Sequence, residues 1–298
     1  MAEGYDVNGM KLCRFQTAKG VSFGVVEENE FYDMTSVDAK MFHDMESAHV
    51  EALKQQVTLS ELVTSKVNDA SRTKYDEKLL RIPVVPTEVW GAGVTYVRSK
   101  EARERETKMK GLYDYVYSAP RPEVFFKDSG LRCRGPGEEV CIRSDSEWTV
   151  PEPELTLVLD GDASIAGYTI GNDVSSRDIE GENPLYLPQA KIYKGSCAVG
   201  PVVTTSDEIT NPHSLQIEMR ILRAGTVAFE GRVNTSQLNR RVGELTEFLK
   251  RDNVLRTFTL LMTGTSLVPA DQFRLQDDDL VEIEIEKIGV LRNPVKKL

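Results

Sequence analysis

The sequence predicts an α+β fold dominated by β-structure, with a small α/β unit at the N-terminus. Three observations carry that prediction. Short apolar or alternating runs such as "PEVFFKD", "ELTLVLD" and "SIAGYTIGND" dominate the second half of the chain. Turn signals, Asp160-Gly161-Asp162 and Ala224-Gly225, punctuate them. Only one helical pattern stands among those later strands, and there is no internal repeat or low-complexity tract.

Taken in order, "KLCRFQT" and "VSFGVVEENEFYDM" read as short strands joined by turns containing Gly and Asn. A helical stretch from Ala52 to Ala70 follows, with a capping pattern at Thr58 to Glu61. Pro83 and Pro86 then change the texture of the chain. A boundary there divides a small unit, 1–82, from a larger one, 83–298. From Val97 to Lys110, "VRSKEARERETKMK" is almost entirely charged. It fits an exposed helix with i,i+4 pairs such as Glu104 and Lys108, or else a mobile lid. Farther on, "SLQIEMRILRAGTVAFEGRV" reads as a hairpin turning at Ala224-Gly225. A helix near Leu238 to Arg251 precedes the closing strands "FTLLMTGT" and "DLVEIEIEKIGVL".

Bulk properties exclude several function classes. The net charge of −10 over 298 residues disfavours binding to nucleic acid or to an anionic membrane surface. No apolar stretch fits a signal peptide or a bilayer span, so a cytoplasmic protein is expected. Cys13, Cys133, Cys141 and Cys197 match no zinc spacing and are expected to be reduced. His43, His49 and His213 are scattered, which argues against a His-rich zinc site.

The chemistry concentrates in "VPEPELTLVLD". Residues two apart on a strand share a face, so Glu152 and Glu154 point one way and Leu155, Leu157 and Leu159 the other. A two-residue loop at Gly161-Asp162 would pair Asp160 with Ala163 and set Glu152 opposite Gly171. Asp173 would then emerge beside the two glutamates. A loop longer by one residue would reverse that parity. Three like charges this close repel unless a cation binds them or their pKa values rise. Oxygen donors alone suit Mg²⁺ or Mn²⁺ better than zinc, and Ca²⁺ has the same preference. The other reading of Glu-x-Glu is an edge strand charged against aggregation. Asp173 on the same face, with the polar run "NDVSSRDIEGEN" behind it, favours the metal.

Together "PEPEL", "GYTIGNDVSSRD", "AKIYKGSCAVGP" and "LMTGT" resemble the fumarylacetoacetate hydrolase family in order and spacing, from Val85 to the C-terminus. "RPEVFFK", "IRSDSEWTVPEPEL" and "ENPLYLPQAKIY" look closest to the branch that dehydrates 2-keto-3-deoxy sugar acids such as 2-dehydro-3-deoxy-D-arabinonate. The resemblance implies a mixed β-sandwich roll, a Mg²⁺ on Glu152, Glu154 and Asp173, and a homo-oligomer, dimer or tetramer. It also implies that Lys191 is the active-site lysine, Glu123 an acidic residue near the metal, and Thr265 a substrate contact. Glu180 stands where many hydrolases of the family have Gln. The hydrolases' general-base His is missing from "TYVRSKEARERE". Both departures favour dehydration over C–C hydrolysis.

Read without that resemblance, each residue has a plainer alternative. Lys191 is a base or a surface lysine beside Lys194. Glu123 is a strand start or a second base. Lys127 meets a substrate carboxylate or only water. Thr265, between Gly264 and Ser266, marks a close approach to ligand or a tight turn. Arg177-Asp178 reads as a structural turn. The expected function is metal-dependent dehydration of a 2-keto-3-deoxy aldonate to 2,5-dioxopentanoate, with Lys191 or Glu123 taking the C3 proton. An acylpyruvate-type hydrolase or oxaloacetate decarboxylase is the runner-up. A non-catalytic keto-acid binder is the alternative from another class.

Overall fold

Strand-forming runs and turn signals organise the chain into packed sheets in the computed structural model, which describes residues 10–27, 29–106 and 111–298. Three antiparallel strands come first, β1 (Lys11–Thr17), β2 (Gly20–Glu27) and β3 (Glu30–Asp33). Helices α1 (Met45–Gln55) and α2 (Leu59–Thr64) follow, then β4 (Ser71–Lys74) and β5 (Leu80–Arg81). Next are β6 (Glu88–Gly93), α3 (Val97–Glu106), α4 (Leu112–Ser118), β7 (Glu123–Ser129), β8 (Val140–Ile142) and β9 (Thr149–Val150). The central segment is β10 (Pro153–Leu159), β11 (Ile165–Asp173), β12 (Ser175–Ser176), α5 (Arg177–Glu182), α6 (Leu187–Lys191) and β13 (Cys197–Thr205). The chain closes with β14 (Gln216–Arg223), β15 (Thr226–Asn234), α7 (Val242–Lys250), β16 (Thr259–Met262), β17 (Leu280–Ile285) and β18 (Gly289–Lys297).

The large sheet runs β4-β3-β2-β1-β13-β11-β10-β16-β6-β7, with β5 also paired to β1. β16 and β6 are parallel, so the sheet is mixed. A second sheet runs β15-β14-β17-β18-β8. One face of the large sheet presents Leu155, Leu157 and Leu159 to Ile217, Met219 and Ile283 of the second sheet. The other face packs Val158, Val199 and Leu260 with Phe42, Met45 and Leu62 of the α1–α2 region. β10 is thus buried on both sides, and the carboxylates at its start occupy positions that elsewhere on the strand hold core residues. Because β1 pairs with β13, the first strands extend the sheet that carries the site.

Two predicted segments divide. The stretch from Ala52 to Ala70 falls across two helices, because Gln56 takes φ 57° and ends α1. A capping box between Thr58 and Glu61 starts α2, as its sequence indicates. "DLVEIEIEKIGVL" is a hairpin, β17 and β18, rather than one strand. Among the described residues no helix is long and apolar enough to cross a membrane, and all four cysteines are unbridged.

The register of the central hairpin differs from expectation. Asp160 Oδ1 accepts hydrogen bonds from the N–H groups of Asp162 (2.9 Å) and Ser164 (2.8 Å), and Ala163 takes φ 63°. The loop is therefore longer than two residues, and a bulge follows at Val158/Leu159. Glu154, not Glu152, lies opposite Gly171. The shift is two residues, so parity survives and Asp173 still emerges on the glutamates' face.

The β14–β15 turn has the expected two-residue form, with Ala224 at φ 48° and Gly225 at φ 75°. Alanine is strained there and asparagine much less so. Ala224→Asn should raise the melting temperature by about 1–3 °C. Calorimetry would show no rise if the turn were of another type.

Candidate active site

Strand pairing builds the core of the site. Asp173 N–H donates to the Glu152 carbonyl at 2.9 Å, fixing the end of β11 beside the entry to β10. Glu152, Glu154 and Asp173 are all buried, and each offers an oxygen within 4.8 Å of the others. Glu154 Oε2 also accepts from the N–H of Gly264 at 2.6 Å. Gly264 has φ 93°, and a Cβ there would lie 2.0 Å from Thr95 Oγ1. Only glycine brings that N–H to the carboxylate.

Cations hold this cluster unequally. Lys191, at the end of α6, donates to Glu152 Oε2 and Asp173 Oδ2, both at 2.7 Å. Arg177, opening α5, meets Glu152 Oε1 at 2.6 Å, and Arg103 of α3 reaches the same oxygen at 3.3 Å. Burial pushes the Glu152 carboxyl up, but Lys191, Arg177 and Arg103 overcome it and hold it well below the usual range. Glu154 takes its hydrogen bond from a backbone N–H. Its burial, then the charges of Asp173 and Glu152, raise it well above the usual carboxylate range. Burial also raises Glu123.

These groups surround a cavity of about 110 Å³. Its walls include Glu123, Glu152, Glu154, Asp173, Glu180, Lys191 and Thr265, so the structure brings together all but one of the residues singled out from sequence. Glu123 reaches it by crossing the face of Gly93, its partner in the β6–β7 ladder; a Cβ there would lie 2.1 Å from Glu123 Oε2. Thr265 lines the cavity and also accepts from the N–H of Leu267 at 3.2 Å, so it serves a turn as well.

Lys127 is the exception and corrects an expectation. It is fully buried beneath the cluster and does not line the cavity. Its ammonium meets Asp173 Oδ1 at 2.6 Å and donates to the carbonyls of Val174 and Lys191. It therefore positions Asp173 and the Lys191 backbone and does not meet a substrate carboxylate. The strand alternation that aims Glu123 and Phe125 at the cavity carries Lys127 onward into the interior.

Two further residues escaped the sequence reading. Arg177 is no mere turn residue, since it is buried against Glu152; its neighbour Asp178 does fill the structural part, accepting from Ser146 Oγ and Glu147 N–H. Arg103 sits in the charged stretch expected to be solvated, yet it pairs with Glu180 and Glu152. The available signal was Ser99, Ala102 and Arg103 at i, i+3, i+4, the least polar stripe of that helix. Of the expected Glu104–Lys108 pair, Lys108 lies outside the described residues, as does the end of the segment weighed as a lid. Glu104 instead accepts the N–H groups of Gly111, Tyr113 and Asp114 at the start of α4.

The donor set fits a divalent cation. Among the described residues, four cations, Arg103, Lys127, Arg177 and Lys191, face five carboxylates, Glu123, Glu152, Glu154, Asp173 and Glu180. With all ionised, one negative charge is uncompensated beside Glu154, where a proton or a hard cation would relieve it.

The family model described as "Fumarylacetoacetate (FAA) hydrolase C-terminal" matches residues 88–296. The chain belongs to the fumarylacetoacetate hydrolase family. Its two packed, mixed sheets are the roll expected from that resemblance. It is 49% identical over 259 residues to the 2-dehydro-3-deoxy-D-arabinonate dehydratase of Saccharolobus solfataricus, covering 84% of each chain. It is 45% identical over 266 residues to a probable 2-keto-3-deoxyxylonate dehydratase of Haloferax volcanii, covering 89% of this chain and 91% of that one. A solved 2-keto-3-deoxy-D-arabinonate dehydratase complexed with magnesium and 2,5-dioxopentanoate is similar at TM-score 0.82 and 42% identity, over 97% of this chain and 99% of that one.

The unequal charges yield opposite stability effects in chelator-treated protein. A raised folded pKa means that Glu154 loses stability for the fold as pH rises above the unfolded carboxylate value of about 4.3. Glu152, held low, contributes stability at neutral pH that is lost on acidification. Glu154→Gln should therefore stabilise the metal-free protein at pH 7, with a gain that shrinks toward about pH 4. Glu152→Gln should lower stability at pH 7 by about 3–5 kcal/mol, because it strands buried cations. Urea unfolding measures both, and effects of the same sign would contradict this charge distribution.

Proposed function

We propose that this chain is a metal-dependent hydro-lyase that converts a 2-keto-3-deoxy aldonate, foremost 2-dehydro-3-deoxy-D-arabinonate, to 2,5-dioxopentanoate. The observation that carries the proposal is the cluster of Glu152, Glu154 and Asp173 beside Lys191 and Glu123, in a cavity with no histidine among its described lining residues. The 49% identity to a dehydratase supports it, as do the magnesium and 2,5-dioxopentanoate in the related solved structure. The lack of histidine weighs against acylpyruvate hydrolysis, which would need a general base to activate water.

Glu152, Glu154 and Asp173 would hold Mg²⁺, with Mn²⁺ and Ca²⁺ compatible with the same oxygen donors. When bound, the ion would supply a Lewis acid that makes the C3 proton of a 2-keto acid more acidic. Lys191 and Glu123 are the groups able to move that proton. Glu123, its carboxyl raised by burial, can exchange a proton closer to neutral pH than an ordinary glutamate. Lys191 acts without a covalent bond to substrate: its ammonium is held by two carboxylates rather than presented as a free amine. Loss of the C3 proton and the C4 hydroxyl releases water, and a proton shift from C5 gives the aldehyde. Thr265 and Glu180 are the proposed substrate contacts. We assign this chemistry to 83–298 and an accessory part to 1–82, in a cytoplasmic homo-oligomer, dimer or tetramer.

An NMR assay over a panel of 2-keto acids tests this. The chain should form 2,5-dioxopentanoate from 2-dehydro-3-deoxy-D-arabinonate, stop on chelation and recover with Mg²⁺ or Mn²⁺. Lys191→Arg should lose most of kcat, since guanidinium stays protonated. Faster cleavage of acetylpyruvate, or full turnover without metal, would overturn the proposal.

A further inference from the structure

We infer that Arg103 and Glu180 form a paired donor and acceptor for the hydroxyl groups of the substrate's tail, and so set which 2-keto acids the site accepts. This rests on the dehydratase reading above. On α3, Arg98 and Glu101 are exposed and the Arg105 side chain is 56% exposed, whereas Ser99, Ala102 and Arg103 turn inward. Lys100 and Glu104 bind Asp114 and the start of α4, and Arg103 alone of the described charges on this helix enters the cavity wall, where its side chain is only 11% exposed.

The contacts of Arg103 rank its tasks. Glu152 keeps Arg177 at 2.6 Å and Lys191 at 2.7 Å, so the Arg103 contact at 3.3 Å is the longest of the three. Among the described residues, Arg103 is the ion-pair partner of Glu180. A buried ion pair stabilises a fold little better than apolar residues of the same volume. Holding α3 to α5 therefore does not call for these charges, whereas recognising a polar ligand does.

Both side chains line the cavity alongside Glu123 and Lys191. A hydroxyl both donates and accepts, so it can receive a proton from guanidinium and give one to carboxylate. A 2-keto-3-deoxy aldonate whose acid end faces the carboxylate cluster carries such hydroxyls at C4 and C5. A 2-keto acid with an aliphatic tail would leave the pair desolvated and unmatched. A second carboxylate, as in oxaloacetate, would meet the like charge of Glu180.

The test compares two reactions that share the C3 proton. One is dehydration of 2-dehydro-3-deoxy-D-arabinonate. The other is exchange of the C3 protons of 2-oxopentanoate with D2O, followed by NMR, on a tail without hydroxyls. Because Arg103→Met alone strands a buried carboxylate, the double variant Arg103→Met/Glu180→Gln is used, with Arg103→Lys as a milder change and melting temperature to verify folding. The ratio of dehydration to exchange should fall roughly 10–100-fold in the double variant, mostly through KM, and less with Arg103→Lys. An unchanged ratio, including equal loss of both reactions, would overturn the inference and make the pair a support of the carboxylate cluster. Wild-type protein that exchanges 2-oxopentanoate but dehydrates no 2-keto-3-deoxy aldonate would overturn the dehydratase reading itself, and is recognised before any variant is compared.

Discussion

Three carboxylates buried within 4.8 Å of one another are the constraint on which the rest of this molecule turns. Left alone they would repel and draw in protons or water. Backbone pairing keeps them together: Glu152, just before β10, and Glu154 on it share a face, and Asp173 ends the strand bonded to it. Lys191, Arg177 and Lys127 then neutralise Glu152 and Asp173 from helices and a strand that the fold brings in from different directions. Glu154 is held by the Gly264 N–H, and among the described residues the excess negative charge gathers beside it.

Much of the architecture follows from supplying those neighbours. The stretch from β12 through α6 places Arg177, Glu180 and Lys191 within a short length of chain after Asp173. β7 contributes two residues of opposite fate, Glu123 at the cavity and Lys127 beneath it. α3 supplies Arg103 across the top. Hydrophobic packing between the two sheets and against α1 and α2 holds these elements rigid enough that ion pairs of 2.6–2.7 Å can form in the interior.

Much of this was legible in the sequence, because strand parity is a local property. Glu152, Glu154 and Asp173 could be assigned to one face even though the register was placed two residues away. The error came from an Asp-centred loop and a bulge, whose combined effect happened to be even. Long-range electrostatics was less legible. A lysine or arginine in a charged run looks the same whether it meets water or a buried carboxylate, so Lys127, Arg177 and Arg103 were assigned to solvent, substrate or turn. Helix ends set by a single left-handed residue, such as Gln56, were equally hidden.

The account depends on the carboxylate cluster holding one hard cation, and direct binding measures that without reference to turnover. Mn²⁺ titrated into chelator-stripped protein, and followed by electron paramagnetic resonance of the free ion, should bind at one ion per chain. Asp173→Asn should weaken that binding sharply while the fold is retained. Saturation at one ion per chain that is untouched by Asp173→Asn, or no binding to the wild-type chain, would contradict the account.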